Sequence, residues 1–147
     1  MDNKIRRGTV CFLQKDNQLL LALIEYSPTD MKWTGIGGWS EVGESLEDAV
    51  VREIAEETYI EVNKNDLRKV AEIGTLETFQ LNVFMAYKWS GKIKPKEPSV
   101  KELKWFPVNK LPFPQMHPGS DKWLPKVLEG KLLKSTGDQI TEVEKFD

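Results

Sequence analysis

The chain has 147 residues, 39% apolar, 10% aromatic and 30% charged, with 23 acidic against 21 basic side chains and a formal charge of −2. That size and balance predict one folded domain over residues 1–147, too apolar for a disordered chain and without the basic excess of a protein that grips a nucleic-acid polymer. No apolar run approaches the ~18 residues of a membrane span, and Met1-Asp2-Asn3-Lys4 opens no secretory leader, so no membrane partner and a cytoplasmic location are expected.

Read in chain order, 9–13 and 19–24 are apolar runs flanking Lys15-Asp16-Asn17-Gln18, the pattern of a hairpin. A loop is predicted from 28 to 34, running on into Gly35-Ile36-Gly37-Gly38. Ser45 stands three residues before Asp48, as an N-cap precedes an acid in the first turn of a helix. Leu46, Val50 and Ile54 then recur at helical period, which predicts a helix from 46 to about 58. The stretches 70–79 and 81–89 read as strands, and 102–106 as a short strand closed by Pro107. Pro112, Pro114 and Pro118 stiffen a loop over 107–120, and Asp121 is the expected cap of a last helix over 122–128, shortened by Pro125. Strands with one strong internal helix and a second near the end make the class mixed α/β.

Single residues narrow the chemistry. Cys11 is the one cysteine and His117 the one histidine. Together they exclude an internal disulfide framework, a cysteine zinc cluster and a two-histidine metal site in one chain, and argue against a Ser-His-Asp triad. Cys11 sits in an apolar run and reads as an inert buried thiol.

Charge is uneven along the chain. Residues 38–60 hold seven acids and a single base, Arg52. On a helix, Glu53, Glu56 and Glu57 fall within an arc of roughly 100°. Three carboxylates so placed repel one another, and a hard divalent cation would turn that repulsion into ligation. A solvated acidic helix face is the plain alternative. Arg52 can pair with Glu44 upstream and fasten the loop to the helix. Gly37 and Gly38 put no Cβ in the way of a metal or a polyphosphate.

The spacing Gly38-(five)-Glu44-(seven)-Arg52-Glu53-Ile54-Ala55-Glu56-Glu57-Thr58-Tyr59-Ile60 resembles the Nudix box, the signature of hydrolases that cleave nucleoside diphosphates linked to another moiety. Tyr59 stands where the family has a helix-ending glycine, so a reshaped turn beside an intact metal site is expected. The resemblance extends over most of the chain. Met31-Lys32-Trp33, Trp105-Phe106, Leu111-Pro112-Phe113, Met116, Pro118 and Trp123 are similar to the MutT-type branch, in particular to its oxidised-purine nucleoside triphosphatases. It implies a mixed twisted sheet flanked by helices, an α/β/α sandwich. It also implies Mg²⁺, with Mn²⁺ as the alternative, held by Glu53, Glu56, Glu57 and the Gly37 carbonyl. The cation would stabilise charge on phosphate oxygens and acidify a bound water, and a carboxylate would take the proton: Glu56 or Glu57, or Glu102 from a later strand.

The implied activity converts a nucleoside triphosphate, 8-oxo-dGTP among them, to the monophosphate and pyrophosphate. The implied partner is a small nucleotide, with the chain a monomer or homodimer. The base pocket departs from the branch at four places. Gly119 and Ser120 replace a pair of acids that read the purine edge, with Asp121 one place later. His117 replaces a base-stacking tryptophan, Thr34 a base-contacting asparagine, and Ile24 or Glu25 a lysine. Thr34, Gly37, Gly38, Phe79, His117, Asp121 and Trp123 are therefore the candidate substrate contacts. Trp33 and Trp105 read as core. Two other readings remain open: a Nudix hydrolase of a nucleotide sugar or ADP-ribose, and a catalytically silent nucleotide-binding module.

Overall fold

The two apolar runs form the centre of a large mixed sheet. In the computed structural model, which describes residues 6–76, 79–136 and 139–146, β1 (Arg6–Lys15) and β2 (Gln18–Ser27) pair antiparallel across a turn at Asp16. The chain start and positions 77–78, at the end of the strand expected over 70–79, lie outside the described residues. On the other side of β1, β7 (Phe79–Ala86) runs parallel, followed by β6 (Leu67–Leu76), β10 (Leu132–Thr136) and β11 (Gln139–Val143). β3 (Asp30–Thr34) and β9 (Val100–Pro107) pair with β2, and β4 (Ile36–Trp39) pairs with β1. The order among the described residues is β11-β10-β6-β7-β1-β2-β3, with β4 and β9 as side branches.

Both faces of this sheet are covered, which is why β1, β2 and β7 are apolar on successive residues rather than alternate ones. Val10, Phe12, Leu21 and Val83 point to one face, where Trp123, Leu124 and Val127 of α2 (Ser120–Leu128) pack on them. Cys11, Leu13, Leu20 and Phe84 point to the other, against Val50 and Ile54 of α1 (Leu46–Glu57). Each fully buried side chain of this kind contributes about 1.5–3 kcal/mol. The layering is α/β/α, as the resemblance implies. Cys11 is 1% exposed, and burial pushes its thiol up to about 12, so it is chemically silent.

Several local expectations change. The predicted loop at 28–38 contains β3 and β4, and a two-stranded sheet of β5 (Thr58–Glu61) and β8 (Ser90–Pro95) follows the helix. Tyr59 needs no reshaped left-handed turn. The Thr58 hydroxyl donates to the Ile54 carbonyl at 2.7 Å and accepts the Ile60 N–H at 3.0 Å, so α1 stops and β5 starts within one residue. Tyr59 is extended in β5 opposite Lys92, with Lys96 Nζ 4.7 Å from its ring centroid. Asp121 does not cap α2. Gly119 (φ 92) is the N-cap, the helix begins at Ser120, and the Ser120 hydroxyl donates to the His117 carbonyl at 2.7 Å. None of the described helices is long and apolar enough to cross a membrane.

Candidate active site

The acidic segment is fixed at its start by a cap and in its middle by one arginine. The Ser45 hydroxyl accepts the Asp48 N–H at 3.0 Å, which begins α1. Arg52, about two turns on from Ser45, faces back towards the loop. Its Nε donates to Glu44 Oε2 at 2.8 Å and its Nη2 to Glu44 Oε1 at 3.0 Å, and Nη2 also donates to the Trp39 carbonyl at 3.0 Å. Its Nη1 reaches Glu53 at 2.8 Å and Glu56 at 3.3 Å. The Arg52 hydrogen bonds hold the Glu44 carboxyl down at about 2, while Glu44, foremost, holds the guanidinium above its already high range. The loop after β4 and the helix are thus tied through one planar, five-donor group, a task that suits arginine and not lysine.

The two glycines set the other wall. A Cβ on Gly37 would lie 1.9 Å from the Thr9 carbonyl oxygen, and one on Gly38 would lie 2.6 Å from the Glu53 carboxyl carbon. Only glycine lets β4 lie this close to β1 while the Glu53 carboxylate presses against its backbone. The sequence pattern gave these residues to a loop. They form a strand because their backbone pairs with Thr9 and Val10.

Glu57 carries the strongest electrostatic signal. It is 7% exposed, and its Oε2 is buried with no hydrogen-bond partner. Burial first, then the charges of Glu53 and Glu97, push its carboxyl up to about 9. A hard divalent cation supplies what this arrangement lacks: a partner for the orphaned oxygen and positive charge among crowded carboxylates. The donor chemistry therefore fits a metal of that type. Among the described residues no three acidic, histidine or cysteine side chains already stand as a closed ligand set. Arg52 takes one oxygen of Glu53 and one of Glu56, which leaves the second oxygen of each carboxylate for a cation.

A cavity of about 830 Å³ opens beside this cluster. Glu53, Glu57, Gly37 and Gly38 border one part of it, and Trp33, Phe79, Met116 and Trp123 wall another. Thr34, His117 and Ser120 add polar groups. His117 and Tyr26 meet at its mouth, Nε2 to Oη at 2.9 Å, and burial foremost lowers the imidazole below its usual range. Of the candidate contacts, Thr34, Gly37, Gly38, Phe79, His117 and Trp123 line the cavity, and Asp121 does not. Asp121 points away because α2 starts at Ser120 and turns Ser120 inward, 6% exposed. Glu44, Arg52 and Glu56 stand behind or beside the lining. Glu102 lies exposed on β9 opposite Leu23, outside the cavity.

The loop carboxylate brought to the site is Glu97, which sequence reading missed. It borders the cavity and raises Glu57, and its N–H donates to the Glu57 carbonyl at 3.3 Å. Its signal was faint: an acid in Lys94-Pro95-Lys96-Glu97-Pro98, a run that reads as a solvated loop.

An acidic helix face beneath a two-glycine strand, in an α/β/α sheet with an aromatic recess alongside, suits hydrolysis of a phosphoric anhydride attached to a ring. The NUDIX domain profile matches residues 4–127, and the chain belongs to the Nudix family and is a Nudix hydrolase. An oxidized purine nucleoside triphosphate hydrolase of Danio rerio is 30% identical over 95% of this chain and 92% of its own length. The NAD-capped RNA hydrolase NudC of Vibrio parahaemolyticus is 35% identical over 68% of this chain, which spans 38% of that larger protein. The crystal structure of a MutT protein from Bacillus halodurans superposes with a TM-score of 0.70 at 26% identity, covering 88% of this chain and 87% of that one.

Proposed function

We propose that this hydrolase cleaves a nucleoside triphosphate to the monophosphate and pyrophosphate, with Mg²⁺ held by Glu53, Glu56, Glu57 and the Gly37 carbonyl. The observation that carries this reading is the single cavity joining Glu53 and Glu57 to the recess walled by Trp33, Phe79 and Trp123. One end suits a polyphosphate and the other a base. The Danio rerio relative, an oxidized purine nucleoside triphosphate hydrolase, supports the same assignment.

When bound, the cation would neutralise charge developing on phosphate oxygens. The chain's own groups do the rest. Arg52 and Glu44 hold the loop before α1 against the helix, so that the Gly38 backbone and Glu53 keep their approach. Glu97, a lining carboxylate from a separate loop, takes the proton from the attacking water in this proposal. Trp123 and Phe79 shield the ring of the substrate from water, and the Tyr26–His117 pair closes the mouth over it.

An oxidised purine is the narrower reading, and one feature weakens it. The acid pair of that branch is Gly119 and Ser120 here, and Asp121 stays outside the cavity. Polar recognition of a base therefore falls to Thr34, Ser120 and His117, groups that suit more than one base. The test is formation of the nucleoside monophosphate from dGTP, 8-oxo-dGTP, 2-hydroxy-dATP, dCTP, ADP-ribose and a nucleotide sugar, in Mg²⁺ and in EDTA, the second product being pyrophosphate from a triphosphate and a sugar phosphate from the last two. Mg²⁺-dependent turnover of a triphosphate supports the proposal, and preference for 8-oxo-dGTP supports its narrower form. Turnover confined to ADP-ribose or the sugar moves the protein to another Nudix activity. Silence across the panel moves weight to a substrate outside it or to the catalytically silent binding module.

A further inference from the structure

The cavity that would take a polyphosphate is itself lined by acidic side chains. Glu25, Glu53, Glu57 and Glu97 border it, and among the described residues no lysine or arginine does. Like charges at such range repel, so a substrate tail with several negative charges needs cationic groups besides any metal. Arg52 is committed to Glu44, Glu53, Glu56 and the Trp39 carbonyl. Lys32 is paired with Asp30, and Lys101 with Glu25.

Arg6 is placed differently. Its guanidinium carbon lies 3.6 Å from the centroid of the Trp39 ring, and that ring stands edge to face with Phe79, centroids 5.2 Å apart. Trp39 and Phe79 both border the cavity. Trp39 directly follows Gly38, the residue packed on Glu53, and pairs in register with Gly8, which shares a face of β1 with Arg6. A guanidinium over a ring spends its π surface there and keeps its in-plane N–H donors for an anion. Among the described residues no carboxylate lies within ion-pair distance of Arg6.

We propose that Arg6, held by Trp39, contacts the phosphate of the substrate that lies beyond the Glu53–Glu57 cluster, and so selects ligands with a polyphosphate tail. Arg6 is then a binding residue and Trp39 the residue that positions it. The inference rests on the nucleoside triphosphate reading above and adds the group that recognises the end of the tail.

The test is calorimetric binding of two ligands: the best-cleaved nucleoside triphosphate with an imido group in place of its α,β-bridging oxygen, and the matching monophosphate. Wild type, Arg6→Ala, Trp39→Leu and the double variant are compared, with Arg6→Gln in reserve should Arg6→Ala fail to fold. Arg6→Ala should weaken the triphosphate analogue about tenfold, the size of one charge-assisted hydrogen bond, and the monophosphate less than twofold. Trp39→Leu should weaken the triphosphate analogue in the same sense and add nothing on top of Arg6→Ala. Equal losses on both ligands, no loss on either, or additive losses in the double variant overturn the inference. Hydrolysis of triphosphates by wild type with unchanged selectivity in Arg6→Ala sinks it alone. Absence of both triphosphate binding and hydrolysis in wild type removes the parent reading and this one together.

Discussion

Arg52 and Glu44 meet through two parallel hydrogen bonds, Nε to Oε2 at 2.8 Å and Nη2 to Oε1 at 3.0 Å. The same guanidinium also holds the Trp39 carbonyl and touches Glu53. One side chain therefore sets the distance between the glycine strand and the acidic helix. A lysine there keeps the charge and loses the fork. Arg52→Lys should lower kcat/KM about a hundredfold, the cost of misplacing reacting groups by roughly an ångström. Its thermal midpoint should fall by only about 2–4 °C, because lysine keeps the charge opposite Glu44 and the pair is only partly buried. Steady-state kinetics beside a thermal melt checks both.

Glu44 also writes a pH signature. Its carboxyl is held at about 2 in the folded chain, below its ordinary value of 4.5. A depressed carboxyl favours the folded state above the unfolded value, and that contribution disappears as pH falls from about 4.5 through 2. Glu44→Gln has no charge to lose, so its unfolding midpoint should decline less steeply than wild type between pH 5 and 2. Melts across that interval, at fixed ionic strength, measure the difference in slope.

Tyr59 occupies a position where the family pattern has glycine, yet it sits in an extended strand with lysines over its ring. Thr58 ends the helix through its own hydroxyl, so no positive φ is required. Tyr59→Gly should therefore destabilise by about 0.5–1 kcal/mol through backbone entropy and lost strand packing. Activity should survive, since Tyr59 borders no part of the cavity. A thermal melt with an activity check reads both.

Glu97 reaches the site from the loop after β8 and is the lining carboxylate proposed to accept a proton. Glu97→Gln should cut kcat by about a hundredfold or more and leave KM within a few-fold. Glu102→Gln, on the exposed edge of β9, should change neither. Parallel rate measurements on the two variants separate these roles.

Much of this was legible in the residues. The helix from Ser45, the Glu44–Arg52 tie and the acidic face are local patterns, in which spacing alone decides which side chains meet. The glycine strand β4 was not legible, because it forms by backbone pairing with β1 across a contact that no side chain announces. β5, β8, β10 and β11 are short and mostly polar, four to six residues each, too brief for a strand pattern to stand out in the sequence. Glu97 was missed, and Glu102 named as the alternative to Glu56 and Glu57, for a related reason. Which acid reaches a cavity depends on how the 96–99 loop folds back onto Glu57, a long-range outcome that composition does not encode. The cap expected at Asp121 lies two residues earlier, because a left-handed Gly119 starts α2 before an acidic cap would.

The first measurement to make is a Mn²⁺ titration by electron paramagnetic resonance, counting free ion against added ion for wild type, Glu53→Gln and Glu57→Gln. If the carboxylate face of α1 is the cation site, wild type binds Mn²⁺, Mg²⁺ displaces it, and each substitution weakens binding at least about tenfold while the protein stays folded. Equal Mn²⁺ binding in all three proteins would place the cation elsewhere and leave Glu53 and Glu57 as structural acids.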